Sequence, residues 1–199
     1  MTEKEKRKSR IERATRETDI QLGLVLDGTG KATVDSNVPF LDHMLTLFGV
    51  HGFFDLTVKG KGDIQVDDHH TVEDAGICLG QAFMAALGDK SGISRYGECC
   101  LPMDETLVRV VVDISNRPFL HYNVTLPDSK IGTFDTALTK EFLRAFAQHA
   151  GITLHVDLLH GENSHHIVEA VFKGLGRAMK QAVREDRAVQ GALSSKGCL

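Results

Sequence analysis

The feature that most constrains this chain is an internal duplication. Residues 51–58 read His-Gly-Phe-Phe-Asp-Leu-Thr-Val and residues 149–156 read His-Ala-Gly-Ile-Thr-Leu-His-Val. His51, Leu56 and Val58 thus fall on His149, Leu154 and Val156, 98 residues on. Further along, His69-His70-Thr71-Val72-Glu73 matches His165-His166-Ile167-Val168-Glu169, now 96 residues on, so the connection is two residues shorter in the second half. Carried back, the first offset sets His43 opposite Glu141. Such a period is longer than that of solenoid repeats, which points to a doubled domain.

The elements must then repeat as well. Thr18, Ile20, Leu22, Leu24 and Leu26 keep one parity, as in a half-buried strand, and predict a strand pair over 11–27. Asp27-Gly28-Thr29-Gly30 reads as a turn. Leu41, Met44, Leu45 and Phe48 follow three- and four-residue spacings and predict a helix over 40–50. A short strand over 53–58 and a helix over 71–87, stopping near Gly88, complete the half. The second half gives strands within 98–124, a helix over 136–150, a strand over 152–158 and a helix over 167–183. Each half is strands, helix, strand, helix: an α+β fold, with halves at 1–90 and 91–199 packed as one compact unit.

Bulk properties remove several function classes. A net charge of −4 lacks the basic excess of a nucleic-acid binder, and with no Trp and two Tyr there is little to stack on bases. No stretch approaches the roughly 20 apolar residues of a membrane span. The charged first 16 residues lack a signal peptide's apolar core, so the expected location is cytoplasmic. Cys78, Cys99, Cys100 and Cys198 form no C-x-x-C pair and read as reduced and structural.

Chemistry concentrates in the repeated motif. On a helix, residues four apart share a face, so His69 and Glu73 can hold one ion, as can His165 and Glu169. His70 and His166 are turned by about 100° and serve a different ion. Two facing motifs would therefore share two ions. His43 and Glu141, on the preceding helix of each half, are the natural further ligands. One site would use His43, His70, His165 and Glu169, the other His69, Glu73, Glu141 and His166, with the pairing of motifs open to neighbouring subunits. Imidazole and carboxylate without thiolate suit manganese, iron or zinc in an open, catalytic site. A single His-His-x-x-Glu would equally be a solvated helix start; two at matched positions argue for metal. Asp67 and Asp68 are candidates for supporting the site or capping the helix. His51 and His149 read as structural groups at helix ends, His121 and His160 as surface or packing residues.

These residues resemble a known family. Phe40-Leu41-Asp42-His43-Met44-Leu45, His51-Gly52, both His-His-x-x-Glu motifs, Ser115-Asn116-Arg117-Pro118-Phe119 and Ser194-Ser195-Lys196-Gly197 are similar to the imidazoleglycerol-phosphate dehydratases of histidine biosynthesis, from about residue 10 to residue 199. The resemblance implies helices sandwiched between two four-stranded sheets, and removal of water from imidazole glycerol phosphate to give imidazole acetol phosphate. It implies two Mn2+ per active site, with Fe2+ or Zn2+ as alternatives, and a homo-oligomeric shell of about 24 subunits with sites at interfaces. His43, His69, His70, Glu73, His165, His166 and Glu169 stand at ligand positions. Glu17 matches a substrate-contacting acid/base; Arg95, Arg117, Lys173, Ser195 and Lys196 match substrate-binding positions, several for phosphate. Two positions depart: Glu141 stands where many members carry histidine, and Leu47 where some carry a polar substrate contact. The chemistry is consistent, since cations on the ring nitrogens would draw electron density from a weakly acidic carbon beside the ring, and guanidinium suits phosphate. A two-metal hydrolase, with ions about 3.5–4 Å apart, and a shell merely glued by metal are the alternatives.

Overall fold

The computed structural model describes residues 6–199; residues 1–5 of the charged N-terminal stretch lie outside the described residues. In the first half, strands β1 (Lys8–Ala14), β2 (Thr18–Val25) and β3 (Ala32–Asp35) lead to helix α1 (Pro39–Gly52), strand β4 (Asp55–Gly62) and helix α2 (His69–Leu87). The second half repeats this with β5 (Tyr96–Met103), β6 (Thr106–Asp113) and β7 (Phe119–Asn123). A small hairpin, β8 (Lys130–Ile131) and β9 (Phe134–Asp135), intervenes before α3 (Leu138–Ala150), β10 (Thr153–His160) and α4 (Ser164–Ala182). The two main sheets have matching orders, β1-β2-β4-β3 and β5-β6-β10-β7. In each the last strand runs parallel to its neighbour and the other pairings are antiparallel.

The helices lie between the sheets, α1 against α4 and α2 against α3. Alternating strand residues supply the core from both sides: Ile20, Leu22 and Leu24 from β2, Val108, Val110 and Val112 from β6, all buried. Each such side chain contributes about 1.5–3 kcal/mol on burial. Phe48 and Phe146, matched across the 98-residue offset, meet edge to face with ring centroids 6.3 Å apart. The duplication is thus a pseudo-two-fold in the packing itself. Glycine makes the helix contacts possible: a Cβ on Gly80 would lie 2.7 Å from the Phe146 carbonyl oxygen, and one on Gly176 2.5 Å from that of Phe48. Gly80 and Gly176 are themselves related by the 96-residue offset.

The predicted elements are present with shifted ends; the two motif helices, expected from 71 and 167, begin at His69 and Ser164, and three further shifts have a visible cause. The strand expected from residue 53 begins at Asp55, because Phe53 takes a left-handed conformation (φ 54°) and closes α1 by donating its N–H to the Val50 carbonyl. The helix expected from 136 begins at Leu138, because Thr136 is tied back to Ser129 and Asp128 in the small hairpin. The turn expected at 27–30 tightens at Leu26–Asp27, and the Asp55 carboxylate then accepts the N–H groups of Thr29 and Lys31. The edge strand β3 and the β8–β9 hairpin have no counterpart in the sequence reading. Cys78, Cys99, Cys100 and Cys198 are all free thiols. Among the described residues, no helix is long and apolar enough to cross a membrane.

Candidate metal centre and anion pocket

Both repeated motifs open a helix, and a side-chain oxygen just ahead of each accepts N–H groups of the first turn. Asn163 accepts the N–H groups of His165 (2.9 Å) and His166 (3.4 Å) at the start of α4. Asp67, one residue ahead of the N-cap Asp68, accepts that of His69 (2.8 Å) at the start of α2, while Asp68 makes no side-chain cap bond. The motif side chains are thereby fixed on the first turn.

At the α1–α4 contact, His43 Nε2 lies 3.4 Å and His165 Nε2 3.2 Å from Glu169 Oε2. One ligand atom from each of the three residues lies within 4.8 Å of the other two. Two imidazoles and a carboxylate converging on one point are a donor set that fits a first-row divalent ion. Glu169 is only 8% exposed. Burial pushes its pKa up, but the Lys173 ammonium at 2.5 Å and His43 outweigh this and hold it below the usual value, so the ligand is anionic. Phe40 packs edge-on against His165 with centroids 5.3 Å apart, which fixes the ring.

The α2–α3 contact carries the matched residues, although among the described residues only His43, His165 and Glu169 converge as a three-ligand group. His69 Nε2 lies 3.7 Å from Glu73 Oε2. Glu141, on the first turn of α3, lines one cavity of about 550 Å³ with His69, Asp67 and Asp68. Here a cation already stands among the carboxylates: Arg144 lies 2.5 Å from Glu141 Oε2 and 3.6 Å from Glu73 Oε1.

The second histidine of each motif points elsewhere. His70 Nδ1 is 3.2 Å from both oxygens of Asp63 and 3.8 Å from Glu17. The Asp63 hydrogen bond, reinforced by Glu17, raises its pKa. His166 Nδ1 is 2.8 Å from Glu105, and the bond raises the imidazole pKa while lowering that of Glu105 to about 2. Within one chain, then, His70 joins neither His43 nor Glu169, and His166 joins neither His69 nor Glu73. Committing Nδ1 to a carboxylate leaves Nε2 as the ligand atom, a common arrangement at metal sites.

Glu105 went unrecognised in the sequence, although the duplication holds its signal. Glu17 immediately precedes β2 and Glu105 immediately precedes β6, each in its half's first hairpin turn. Thr18 and Thr106, the next residues, both sit beside a glycine at the end of the later strand, Gly62 and Gly161. Each half therefore sets a hairpin glutamate against the second histidine of its own motif. Asp63 and Arg144 were also missed, since their roles arise only from tertiary contact.

A second feature gathers cations. Arg95, Ser115, Asn116, Arg117, Ser195 and Lys196 line a cavity of about 420 Å³. Asp113 grips Arg95 through two hydrogen bonds (2.7 and 3.1 Å), and Arg95 also donates to the Leu193 carbonyl (2.6 Å), so this guanidinium is fixed. Arg117 donates from Nη1 to the Ser115 carbonyl (3.3 Å), lies 3.7 Å from Asp113 and is exposed to solvent. Lys173 is not in this cavity; it pairs with Glu169. His149 Nδ1 donates to the Ala145 carbonyl (2.9 Å) near the end of α3, in keeping with a structural role. Leu47 is half-buried against the core.

The fold and site define a class: a duplicated α+β protein with paired His/Glu clusters at helix starts and a cationic pocket suited to an anion. The family model described as imidazoleglycerol-phosphate dehydratase matches residues 36–179. A relative of that name from Desulfotalea psychrophila is 63% identical over 193 residues, covering 97% of this chain and 96% of its own; one from Pelobacter propionicus is 58% identical, covering 97% and 99%. The crystal structure of the Staphylococcus aureus dehydratase superposes with a TM-score of 0.82 at 41% identity, covering 90% of this chain and 99% of its own. That of the Pyrococcus furiosus protein in complex with (S)-C348 gives 0.83 at 40%, covering 95% and 100%. The chain belongs to the imidazoleglycerol-phosphate dehydratase family.

Proposed function

We infer that the chain is a carbon–oxygen lyase that removes water from imidazole glycerol phosphate to give imidazole acetol phosphate in histidine biosynthesis. The observation that carries this reading is the pairing, in one chain of this family, of the His43–His165–Glu169 cluster with the Arg95–Arg117–Lys196 pocket. The cluster suits an ion facing an imidazole ring; the pocket suits the phosphate of the same substrate.

The proposed centre holds two manganese ions. His43, His165 and Glu169 provide one three-ligand set, and His69, Glu73 and Glu141 the other. His70 and His166, directed away from both sets of their own chain, complete the sets of neighbouring copies, so that active sites form at interfaces of a homo-oligomer in the cytoplasm. Manganese bound there would supply Lewis acidity to the substrate's ring. The protein's own groups do the rest. Arg95, Arg117, Ser195 and Lys196 bind the phosphate and set the register of the chain of carbons. Glu17, 3.8 Å from His70, is placed to hold or move a proton beside that imidazole. Lys173 keeps Glu169 ionised.

Turnover of imidazole glycerol phosphate, measured after chelation and again after adding back Mn2+, tests the reading. Product only with the metal is expected. Absence of product with Mn2+, Fe2+ and Zn2+ alike would overturn it; full activity in the chelated protein would remove the metal.

A further inference from the structure

The outer face of the second sheet carries imidazoles that the dehydratase chemistry does not use. Leu154 and Val156 of β10 point into the core, so His155 and Asp157 point the opposite way, away from the helix layer. β7 runs parallel beside β10, with His121 directly opposite His155. Their ring centroids are 5.1 Å apart and the planes differ by 32°. The Asp157 carboxylate, two residues on and on the same face, lies 3.7 Å from His121 Nε2. His121 is 48% exposed, so the face is open to an ion from solvent.

The fold does not require these residues. The duplication supplies the control: β3 and β4 have the same parallel register, with Thr33 opposite Thr57 where the second half has His121 opposite His155. Lys59 stands where the second half has Asp157. One copy of the same scaffold thus carries two hydroxyls and a cation, while the other carries two imidazoles and a carboxylate. His155 also lies beside the Phe119 ring (centroids 6.0 Å apart), so the pair ends an aromatic row, but two cross-strand imidazoles repel once both are protonated.

We propose that His121 and His155 form a separate chelating site for a borderline first-row cation, Cu2+, Ni2+ or Zn2+, on the outer face of the second sheet. Directly opposed side chains on adjacent strands are close enough for two ring nitrogens to turn onto one ion, and imidazole is the ligand these cations prefer. Asp157 is held by Arg109 (3.0 Å) and Asn123 (3.2 Å), so it flanks the pair without ligating the ion, and water completes the coordination. Affinity follows the order Ni2+ below Cu2+ above Zn2+. The site shares no residue with the proposed manganese centre, so its failure and the failure of the dehydratase reading are separate results.

The test compares full-length protein, first loaded with Mn2+, with the double variant His121→Thr/His155→Thr. That variant imports the residues of the first repeat, which this scaffold already accommodates. Cu2+ is titrated into both, with binding counted by calorimetry and nitrogen coupling read by electron paramagnetic resonance. The wild type is expected to take up one more copper per chain than the variant, with the difference between the two spectra showing two nitrogens, while turnover measured with Mn2+ before copper is added stays equal. Equal copper counts and identical spectra would overturn the proposal. The single variants His121→Thr and His155→Thr distinguish chelation from two independent surface imidazoles. Chelation predicts that either change removes the two-nitrogen signal; a signal surviving in either one refutes it.

Discussion

Arg144 stands among the carboxylates of the second proposed metal set. Its guanidinium lies 2.5 Å from Glu141 and 3.6 Å from Glu73, and it would share that space with any ion held by the same carboxylates. Its side chain is 59% exposed, so the relevant dielectric is close to that of water. There, unit charges at such separations interact by about 1 kcal/mol, and measured exposed pairs reach about the same value at most. Arg144→Ala removes that competing interaction and one repulsive charge, so the second ion should bind more tightly by about 1 kcal/mol, roughly fivefold. The ion at His43, His165 and Glu169 should be unaffected. A titration with Mn2+, following the free-ion signal by electron paramagnetic resonance, resolves both events. The difference between wild type and variant should shrink in high salt, as expected for an exposed charge. An unchanged second affinity would refute the competition; a weakened one would mean that Arg144 holds Glu141 in place for the ion.

His70→Ala and His165→Ala should each abolish turnover and weaken metal binding; near-wild-type turnover in a variant would remove that residue from the centre. Arg117→Ala and Lys196→Ala should raise KM with kcat little changed, because a phosphate grip kept through the reaction is uniform binding; a fall confined to kcat would contradict the assignment. Gly176→Val forces a Cβ to 2.5 Å from the Phe48 carbonyl oxygen and should cost at least about 1–3 kcal/mol in urea denaturation; an unchanged midpoint would show that the α1–α4 contact relaxes freely. Burial pushes the Cys78 thiol up to about 11, so at pH 8.5 it is protonated as well as inaccessible. Iodoacetamide followed by mass spectrometry should label the exposed Cys100 and spare Cys78 until the protein is unfolded, and fast native labelling of Cys78 would refute the packing.

What was legible in the sequence was whatever repeats. The period-two run from Thr18 to Leu26 and the spacings of Leu41, Met44, Leu45 and Phe48 encode which face is buried, and burial is local to each element. The 96- and 98-residue offsets then paired His43 with Glu141 and one motif with the other, and the structure brings His43 to the second motif's His165 and Glu169. β3 escaped notice because four residues are too few to display a period. The β8–β9 hairpin escaped because it has no counterpart in the first half. Asp63, Glu105 and Arg144 act across elements, through contacts that no local pattern records. Glu105 was nonetheless within reach: it immediately precedes β6 as Glu17, known from the resemblance, immediately precedes β2. Lys173 shows the converse. Its matched position suggested a substrate contact, while its helical spacing of four from Glu169 is what fixes its partner in this structure.

The division at residue 90 separates repeats but not sites. His43 comes from the first half and His165 and Glu169 from the second, while His69 and Glu73 come from the first and Glu141 from the second. Each cluster lies at a contact between a helix of one repeat and a helix of the other, α1 with α4 and α2 with α3. These are the contacts closed by Gly176 against Phe48 and Gly80 against Phe146. The glycines therefore have a consequence beyond stability. They set how near the paired helices approach, and hence whether His43 can reach the carboxylate of Glu169. A single repeat would expose the apolar faces of its helices and would not bring His43 to His165 and Glu169. The pseudo-two-fold also fixes where the remaining histidines go. The strand pair that begins each half ends in a turn beside its own motif, and Glu17 or Glu105 in that turn, with Asp63 beside His70, draws the second imidazole out of the cluster. The two outward imidazoles, His70 and His166, are what the proposed interface centre would draw on from a neighbouring copy.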